Sequence, residues 1–121
     1  MLFRSQPSVD VQMLKQMREE LQEDGETDVV TELIDIFLED SLKQLETMKK
    51  AINNLETEPL ILAAHSLKGS CNNLGILGMS NISATLEQKG KLGLITEADQ
   101  LLIELENEFV QVQSTLAKIR I

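Results

Sequence analysis

The sequence predicts an all-α fold, an antiparallel four-helix bundle with up-down topology and an additional N-terminal helix. Apolar residues recur at the i, i+3, i+4, i+7 spacing of core-facing helices over most of the 121 residues. Aromatic residues make up only 2% of the chain. A core of Leu, Ile, Val, Met and Ala suits helices better than a sheet, in which β-branched and aromatic residues are enriched. Two prolines and six glycines leave little material for many tight turns.

The length of the chain is that of one domain with one core. Residues 1–8 are expected to form a flexible N-terminal arm, because they contain Gln-Pro-Ser and few apolar side chains. Residues 9–121 are expected to form the helical-bundle domain. Its predicted helices are joined by short links, which favours antiparallel packing of consecutive helices.

Short polar residues mark the expected beginnings of the first three helices. Asp10 is the expected N-cap of the first helix, which ends near the Asp24-Gly25 pair. Thr27 is expected to cap a long second helix, which ends at about Asn54. Thr57 is expected to cap the third helix.

The third helix has Pro59 in its first turn, where the missing N–H costs little, and Gly75 ends it. A fourth helix is expected from about Ser80 to Lys89. Thr96 is expected to cap the last helix, with Asp99 as a weaker partner than the usual Glu or Gln. The last helix carries an apolar seam formed by Ala98, Leu101, Leu102, Leu105, Phe109, Val112, Leu116 and Ile119.

The net charge of −9 argues against nucleic acid as a partner, because phosphates require a basic face. The charge is unevenly distributed. Residues 59–96 contain Lys68, Lys89 and Lys91 against Glu87 alone, a local charge of +2. A locally basic region on an acidic protein predicts a surface directed at an acidic partner site, with chance clustering of lysines as the alternative.

No signal peptide or membrane span is expected, because the N-terminus lacks a continuous apolar run and no run of about 18 apolar residues occurs elsewhere. We therefore expect a cytoplasmic protein without a membrane partner. The single cysteine, Cys71, excludes an internal disulfide. No second Cys or His accompanies it as a zinc site would require, so we expect neither a metal nor a cofactor.

The one histidine of the chain, His65, lies on the outward side of the predicted third helix. At about 100° per residue, it points roughly 140° away from the apolar stripe of that helix. Lys68 and Gly69 lie one turn further along on the same side, and Asn72 extends the strip. The apolar stripe consists of Leu60, Ala63, Ala64, Leu67, Cys71 and Leu74.

An exposed imidazole such as that of His65 is a nucleophile that can form a covalent intermediate. A phosphoryl group on it would add nearly two negative charges, which the ammonium of Lys68 can offset. Glycine within a helix costs about 1 kcal/mol relative to alanine. Gly69 is therefore explained either by close approach of another protein or by packing against a neighbouring helix. Ile61 and Leu62 would give the strip an apolar rim for docking.

The run His-Ser-Leu-Lys-Gly-Ser, followed by Cys-Asn-Asn-Leu-Gly, resembles the signature of histidine-containing phosphotransfer (HPt) domains, H-x-L-K-G-S-x-x-x-[LV]-G, and spans residues 65–75. The run Leu-Glu-Gln-Lys-Gly-Lys at residues 86–91 is similar to the L-E-x-x-G-[RK] turn that ends the next helix of the family. The family often has arginine where this chain has Lys91, which keeps the charge but puts a bidentate contact in doubt.

The resemblance implies a phosphocarrier in a multistep two-component phosphorelay rather than an enzyme. It implies His65 as the phosphoacceptor, Lys68 as its charge partner and Gly69 as the access point for a receiver domain. The implied partners are response-regulator receiver domains and a hybrid histidine kinase, with magnesium on the receiver domain. Supporting roles would fall to Ser70 and Gln88, and docking roles to Ile61, Leu62, Asn72, Lys89 and Lys91.

Other classes of protein share some of these features. A phosphoacceptor module of a larger hybrid or chemotaxis-type histidine kinase would carry the same motif. A kinase dimerisation bundle usually follows its histidine with an acidic residue and then a proline, whereas Ser66 and Leu67 follow His65 here. In a non-catalytic helical adaptor, His65 would have no role.

Overall fold

The computed structural model describes residues 8–21 and 28–120, which form five α-helices and one 3₁₀ turn, with no strand among them. The all-α class predicted from the sequence is confirmed. Most of the expected arm, and the Asp24-Gly25 pair, lie outside the described residues. The helices are α1 (Val11–Leu21), α2 (Val29–Asn53), α3 (Thr57–Asn73), α4 (Leu77–Lys91) and α5 (Ala98–Ile119), with the 3₁₀ turn at Ile95–Glu97.

Helices α2 to α5 form the four-helix bundle, and α1 is the additional N-terminal helix. Each bundle helix contacts the next one, and α5 contacts α2, which closes the ring. The α2–α3 and α3–α4 links have only three residues each, so these neighbours run antiparallel. Helix α1 packs against α2. None of the described helices is long and apolar enough to cross a membrane.

The buried core confirms the apolar pattern of the sequence. The thiol of Cys71 lies within it, and burial raises its pKa to about 12, as expected for a small core residue rather than a reactive one. On α4, Ile82 is partly buried against the core and Leu86 is fully buried. In α5 the whole predicted seam is buried apart from the half-buried Leu101. The α3 stripe is buried at every predicted position: Leu60, Ala63, Ala64, Leu67, Cys71 and Leu74.

Helices α2, α3 and α4 end in the same way, with a left-handed residue that closes a Schellman motif. These residues are Leu55 (φ 56°), Gly75 (φ 67°) and Gly93 (φ 74°). In each motif the N–H of the following residue bonds the carbonyl five positions back; the N–H of Ile76, for instance, donates to the carbonyl of Cys71 at 2.8 Å. The motifs keep the links short, and Gly75 ends α3 as predicted.

The N-caps were predicted less well than the core. Asp10 caps α1, because its Oδ1 accepts the N–H of Met13 at 3.0 Å. Thr27 lies outside the described residues, and the cap of α2 is Asp28, whose carboxylate accepts the N–H of Thr31 at 2.9 Å. The end of α2 at Asn53, with Asn54 as its C-cap, agrees with the prediction.

The predicted caps of α3 and α5 were wrong. Thr57 is the first residue of α3, because the Schellman motif at the end of α2 already places Glu56 in the extended cap conformation. Thr96 lies inside the 3₁₀ turn that leads into α5, so Glu97 occupies the cap position without a side-chain hydrogen bond.

Helix α4 is longer than predicted, starting at Leu77 rather than near Ser80 and continuing to Lys91. Its first turn is supported from outside the helix. The carbonyl of Ser8 accepts the N–H of Leu77 at 2.9 Å, which satisfies a donor that an isolated helix end leaves without a partner. Gly90 is the penultimate residue of α4.

Candidate functional site

His65 lies in the middle of α3 and faces outward. Its side chain is 66% exposed, while the neighbouring residues Ala64 and Leu67 of the same helix are fully buried. The predicted outward orientation of the imidazole is therefore confirmed. A buried helix face holds the backbone in place while the ring projects toward solvent.

A carboxylate from α4 lies directly beside the imidazole. Oε2 of Glu87 is 2.9 Å from Nδ1 of His65, and Oε1 of Glu87 is 2.7 Å from Nζ of Lys68. Nζ of Lys91 approaches Oε2 from one turn further along α4, at 3.2 Å. The Glu87 side chain is only 7% exposed. One nearly buried carboxylate therefore holds three cationic or potentially cationic groups. We call these four residues the Glu87 cluster: His65, Lys68, Glu87 and Lys91.

The charge state of Glu87 decides the tautomer of His65. The hydrogen bond from Lys68, with further contributions from Lys91 and His65, outweighs burial and lowers the pKa of Glu87 from 4.5 to about 2. The carboxylate is thus ionised at neutral pH and can only accept hydrogen bonds. Nδ1 of His65 must therefore carry a proton and donate a hydrogen bond to Oε2. In the neutral form of the imidazole, Nε2 then has the free lone pair.

Close packing of α4 on α3 brings Glu87 to the imidazole. Gly90 lies against Ile61, and a Cβ at that glycine would come within 2.7 Å of Ile61 Cγ1. Gly90 and Lys91 are three and four residues after Glu87, so all three share one face of α4. The absence of a side chain at Gly90 lets this face approach α3 closely, directly beside His65 and Lys68.

Gly69 marks an open surface next to the Glu87 cluster. A Cβ at this position would have no neighbour within 4 Å, so the glycine is not required for packing between the described helices. Leu62, one turn before His65, is 63% exposed and lines a groove between α2 and α3 together with Gln44 and Ser66. The space beside Gly69 is therefore open among the described residues, and the Leu62 side chain is exposed next to it on α3.

The residues expected to support the imidazole do not contact it. Ser70 lies about 140° around α3 from His65 and lines a groove against α2 with Leu33 and Phe37. Gln88 is exposed, about 100° around α4 from the residue that faces the ring. The imidazole instead donates its Nδ1 hydrogen bond to the carboxylate of Glu87.

Ile61 and Asn72, which were expected to serve in docking, have contacts within the bundle. Ile61 is half-buried against Gly90, so it offers less free surface than the sequence suggested, because the close α3–α4 packing covers it. Asn72 is exposed, and its Oδ1 accepts a hydrogen bond from the hydroxyl of Ser80, which links the end of α3 to the start of α4.

The two lysines at the end of α4 differ in their contacts. Nζ of Lys89 lies 2.8 Å from Oε1 of Glu97 in the 3₁₀ turn. Lys91 is 55% exposed, and its Nζ contacts Oε2 of Glu87, the same oxygen that lies beside Nδ1 of His65. Both lysines belong to the locally basic region that was identified in the sequence.

The role of Glu87 as a partner of His65 was not predicted from the sequence. There, Glu87 was counted only as one negative charge beside three lysines. A signal for it was present. Glu87, Gly90 and Lys91 follow the i, i+3, i+4 spacing of one helix face, and a glycine on that face indicates close approach of another helix. Its pairing with His65 could not be read from spacing alone, because the two residues lie on different helices.

The model of the Hpt domain family matches residues 32–115 of the chain. The chain belongs to the Hpt domain family. Histidine-containing phosphotransfer protein 5 of Arabidopsis thaliana is 24% identical over an alignment of 121 positions, which covers 84% of this chain and 77% of that protein. The crystal structure of histidine-containing phosphotransfer protein B from Pseudomonas aeruginosa matches with a TM-score of 0.86 and 27% identity, over 96% of each chain.

Membership of the Hpt family gives the function in outline. The chain is a histidine phosphotransfer protein of a phosphorelay. Proteins of this family are phosphocarriers and generally not enzymes, and their partners are the histidine kinases and receiver domains of two-component systems. Among the described residues, no group of His, Cys, Asp and Glu side chains is arranged to hold a metal ion.

Proposed function

We propose that His65 is the phosphoacceptor and that Nε2 is the atom that carries the phosphoryl group. The observation that supports this proposal most directly is the hydrogen bond between Nδ1 and the ionised Glu87, which leaves the Nε2 lone pair free on an imidazole that is 66% exposed. His65 is also the one histidine of the sequence.

The uptake step needs no base in this tautomer. The Nε2 lone pair attacks the phosphorus of an aspartyl phosphate on a receiver domain. The N–P bond forms, the bond between phosphorus and the aspartyl oxygen breaks, and the aspartate leaves as a carboxylate. The Nδ1 proton stays in place, and the positive charge that develops on the ring faces the carboxylate of Glu87 at 2.9 Å.

Two lysines would then balance the charge of the phosphoryl group. Lys68 and Lys91 are both held by Glu87, and together they give the cluster one net positive charge when the imidazole is neutral. A phosphoryl group brings nearly two negative charges. We assign Lys68 the larger role, because it follows His65 by one turn on the same helix, and Lys91 an auxiliary role.

The partner surface is proposed to be the strip around Gly69. The open space at Gly69 and the exposed Leu62 would admit a receiver domain, whose acidic pocket and magnesium ion supply the remaining electrostatic stabilisation. This chain would need no cofactor of its own. A hybrid histidine kinase would be the source of the phosphoryl group. The protein would act in the cytoplasm.

Transfer of labelled phosphate tests the proposal. A receiver domain charged with ³²P is mixed with the wild-type chain, with His65→Gln and with the matched surface change Gln88→Asn. Wild type and Gln88→Asn should become labelled, whereas His65→Gln should remain unlabelled with an unchanged melting temperature. Labelling of His65→Gln would contradict the assignment.

A further inference from the structure

We propose that Glu87 also controls how readily the phosphorylated protein gives up its phosphoryl group, by keeping the Nδ1 proton on the phosphorylated imidazole. This inference rests on the proposed function, since it concerns the state in which Nε2 of His65 carries the phosphoryl group. It assigns to Glu87 a positioning role in onward transfer that is separate from uptake.

The leaving group decides the rate of discharge. When the N–P bond breaks, the bonding electron pair returns to Nε2. If Nδ1 still carries its proton, the ring leaves as neutral imidazole. If the proton has been lost, the ring must leave as an imidazolide anion, which is a much poorer leaving group. A group that holds the Nδ1 proton therefore keeps the carrier able to discharge.

Glu87 is placed to hold this proton throughout the cycle. Its Oε2 lies 2.9 Å from Nδ1, on the side of the ring opposite to Nε2, so a phosphoryl group on Nε2 does not displace it. Its side chain is 7% exposed, which limits competition from water. Oε1 is bound by Lys68 at 2.7 Å, which fixes the orientation of the carboxylate independently of the imidazole.

The charged groups around the ring have opposite effects on its protonation. Lys68 from α3 and Lys91 from α4 are cations that disfavour a protonated ring, whereas Glu87 favours it. The nearby side chain from α2 is the neutral Gln44, which hydrogen-bonds Ser66. On phosphorylation, the phosphoryl group adds negative charge on the Nε2 side and offsets the two lysines. Retention of the Nδ1 proton is then governed by Glu87.

The pH dependence of discharge provides the test. The wild type, Glu87→Gln and the control Glu104→Gln, which changes an exposed glutamate on α5, are charged directly with potassium phosphoramidate. This reagent bypasses uptake from a receiver. The rate of phosphoryl transfer to an uncharged receiver domain is then measured as a function of pH.

In Glu87→Gln the fall in rate with rising pH should shift to lower pH by about one unit, because an opposite charge next to a titrating group favours its charged form. On the alkaline side of this midpoint, discharge should be about tenfold slower than in the wild type. The rates should converge at lower pH, where both proteins carry the proton. Glu104→Gln should follow the wild-type profile. Coinciding profiles for wild type and Glu87→Gln would overturn the inference.

A second measurement covers the case in which Glu87→Gln does not fold. The ¹⁵N chemical shift of Nδ1 in the phosphorylated wild type should show a retained proton at a pH at which free Nε2-phosphohistidine has lost it. Loss of the proton at the same pH as in free phosphohistidine would overturn the inference. A wild type that receives no phosphoryl group from any receiver would instead count against the proposed function.

Discussion

Glu87 and Asp28 are two carboxylates that are both bound by cations from other parts of the chain, but they act on very different surroundings. Asp28 caps α2 and binds Arg18 of α1, with 2.8 Å between Oδ2 and Nη2. The hydrogen bond from Arg18 holds the pKa of Asp28 well below its usual 3.8. Arg18 also donates to the carbonyl of Ile119 at 2.7 Å, so this contact ties the two ends of the described chain together.

The difference lies in the partners of the two carboxylates rather than in the carboxylates themselves. The side chains of Arg18 and Asp28 are 20% and 18% exposed, so the whole contact is part of the structure. Glu87 is more deeply buried, but its partner His65 is 66% exposed. A carboxylate that binds only enclosed groups stabilises the fold. A carboxylate that binds an exposed imidazole can also stabilise positive charge on that ring during a reaction at the surface. Substitutions near Asp28 should therefore change the stability of the protein, whereas substitutions near Glu87 should change the rate of phosphoryl transfer.

Gly69→Leu should give the largest effect, a decrease in the transfer rate of about 100-fold, because a misplaced reacting group costs this much in positioning. The added side chain would fill the open surface beside His65, where a Cβ meets nothing within 4 Å. Melting temperature should not fall, since leucine favours helix over glycine. Gly69→Ala is the matched control and should retain most of the rate. An unimpaired Gly69→Leu would reject the access role of this glycine.

Lys68→Ala should slow phosphoryl transfer or shorten the lifetime of phosphohistidine by about tenfold, equivalent to about 1.4 kcal/mol. Lysine at this position is the closest cation to Glu87, at 2.7 Å. Its removal leaves Lys91 as the remaining lysine of the cluster. Lys89→Ala is a suitable control, because Lys89 pairs with Glu97 instead. Equal rates and lifetimes in all three proteins would remove Lys68 from the mechanism.

Asp28→Asn should lower the melting temperature by roughly 4 °C at neutral pH and leave phosphoryl transfer unchanged. Asparagine can still cap α2, so the change isolates the charge that binds Arg18. The pKa of Asp28 is depressed in the folded protein. Its ionic stabilisation is therefore complete above the usual pKa of 3.8 and is lost as the pH falls through the lowered folded value.

The difference in melting temperature between wild type and Asp28→Asn should accordingly narrow only in acid. Thermal unfolding followed by circular dichroism over a series of pH values measures it. A transfer defect in Asp28→Asn, with an unchanged melting temperature, would contradict the division of roles between the two carboxylates.

Leu55→Gly should give the smallest effect, an increase in the free energy of unfolding of about 0.5–1 kcal/mol, because a non-glycine residue in the left-handed region is disfavoured. Leu55 has φ 56° and is 63% exposed, so little packing is lost. Gly75→Ala at the equivalent position of the next link should destabilise instead, since its Cβ would lie 2.9 Å from Met13 Sδ. Urea denaturation measures both, and a destabilised Leu55→Gly would show that the leucine side chain is needed.

The bundle could be predicted from the sequence because burial follows a periodic pattern. The stripe around Leu67 and the seam around Leu105 were both read correctly from spacing alone. Helix ends were harder, because their positions depend on contacts distant in sequence. The start of α4 depends on the carbonyl of Ser8, and Glu56 rather than Thr57 precedes α3 because of the motif that ends α2.

The candidate site divides in the same way. The outward direction of His65 and the position of Lys68 follow from the geometry of one helix. The carboxylate that holds both belongs to another helix, and its approach depends on the close contact between Gly90 and Ile61. To predict which residues of two different helices come together, the packing of the helices must be known. For residues on one helix, their spacing in the sequence is sufficient.

The account depends most on the division of labour between the two imidazole nitrogens of His65. Long-range ¹H–¹⁵N NMR of the protein, recorded after it has been charged by a phosphorylated receiver domain, measures this division directly. The result expected is a phosphoryl group on Nε2 and a proton on Nδ1. A phosphoryl group on Nδ1, or an imidazole that remains unmodified, would contradict the account.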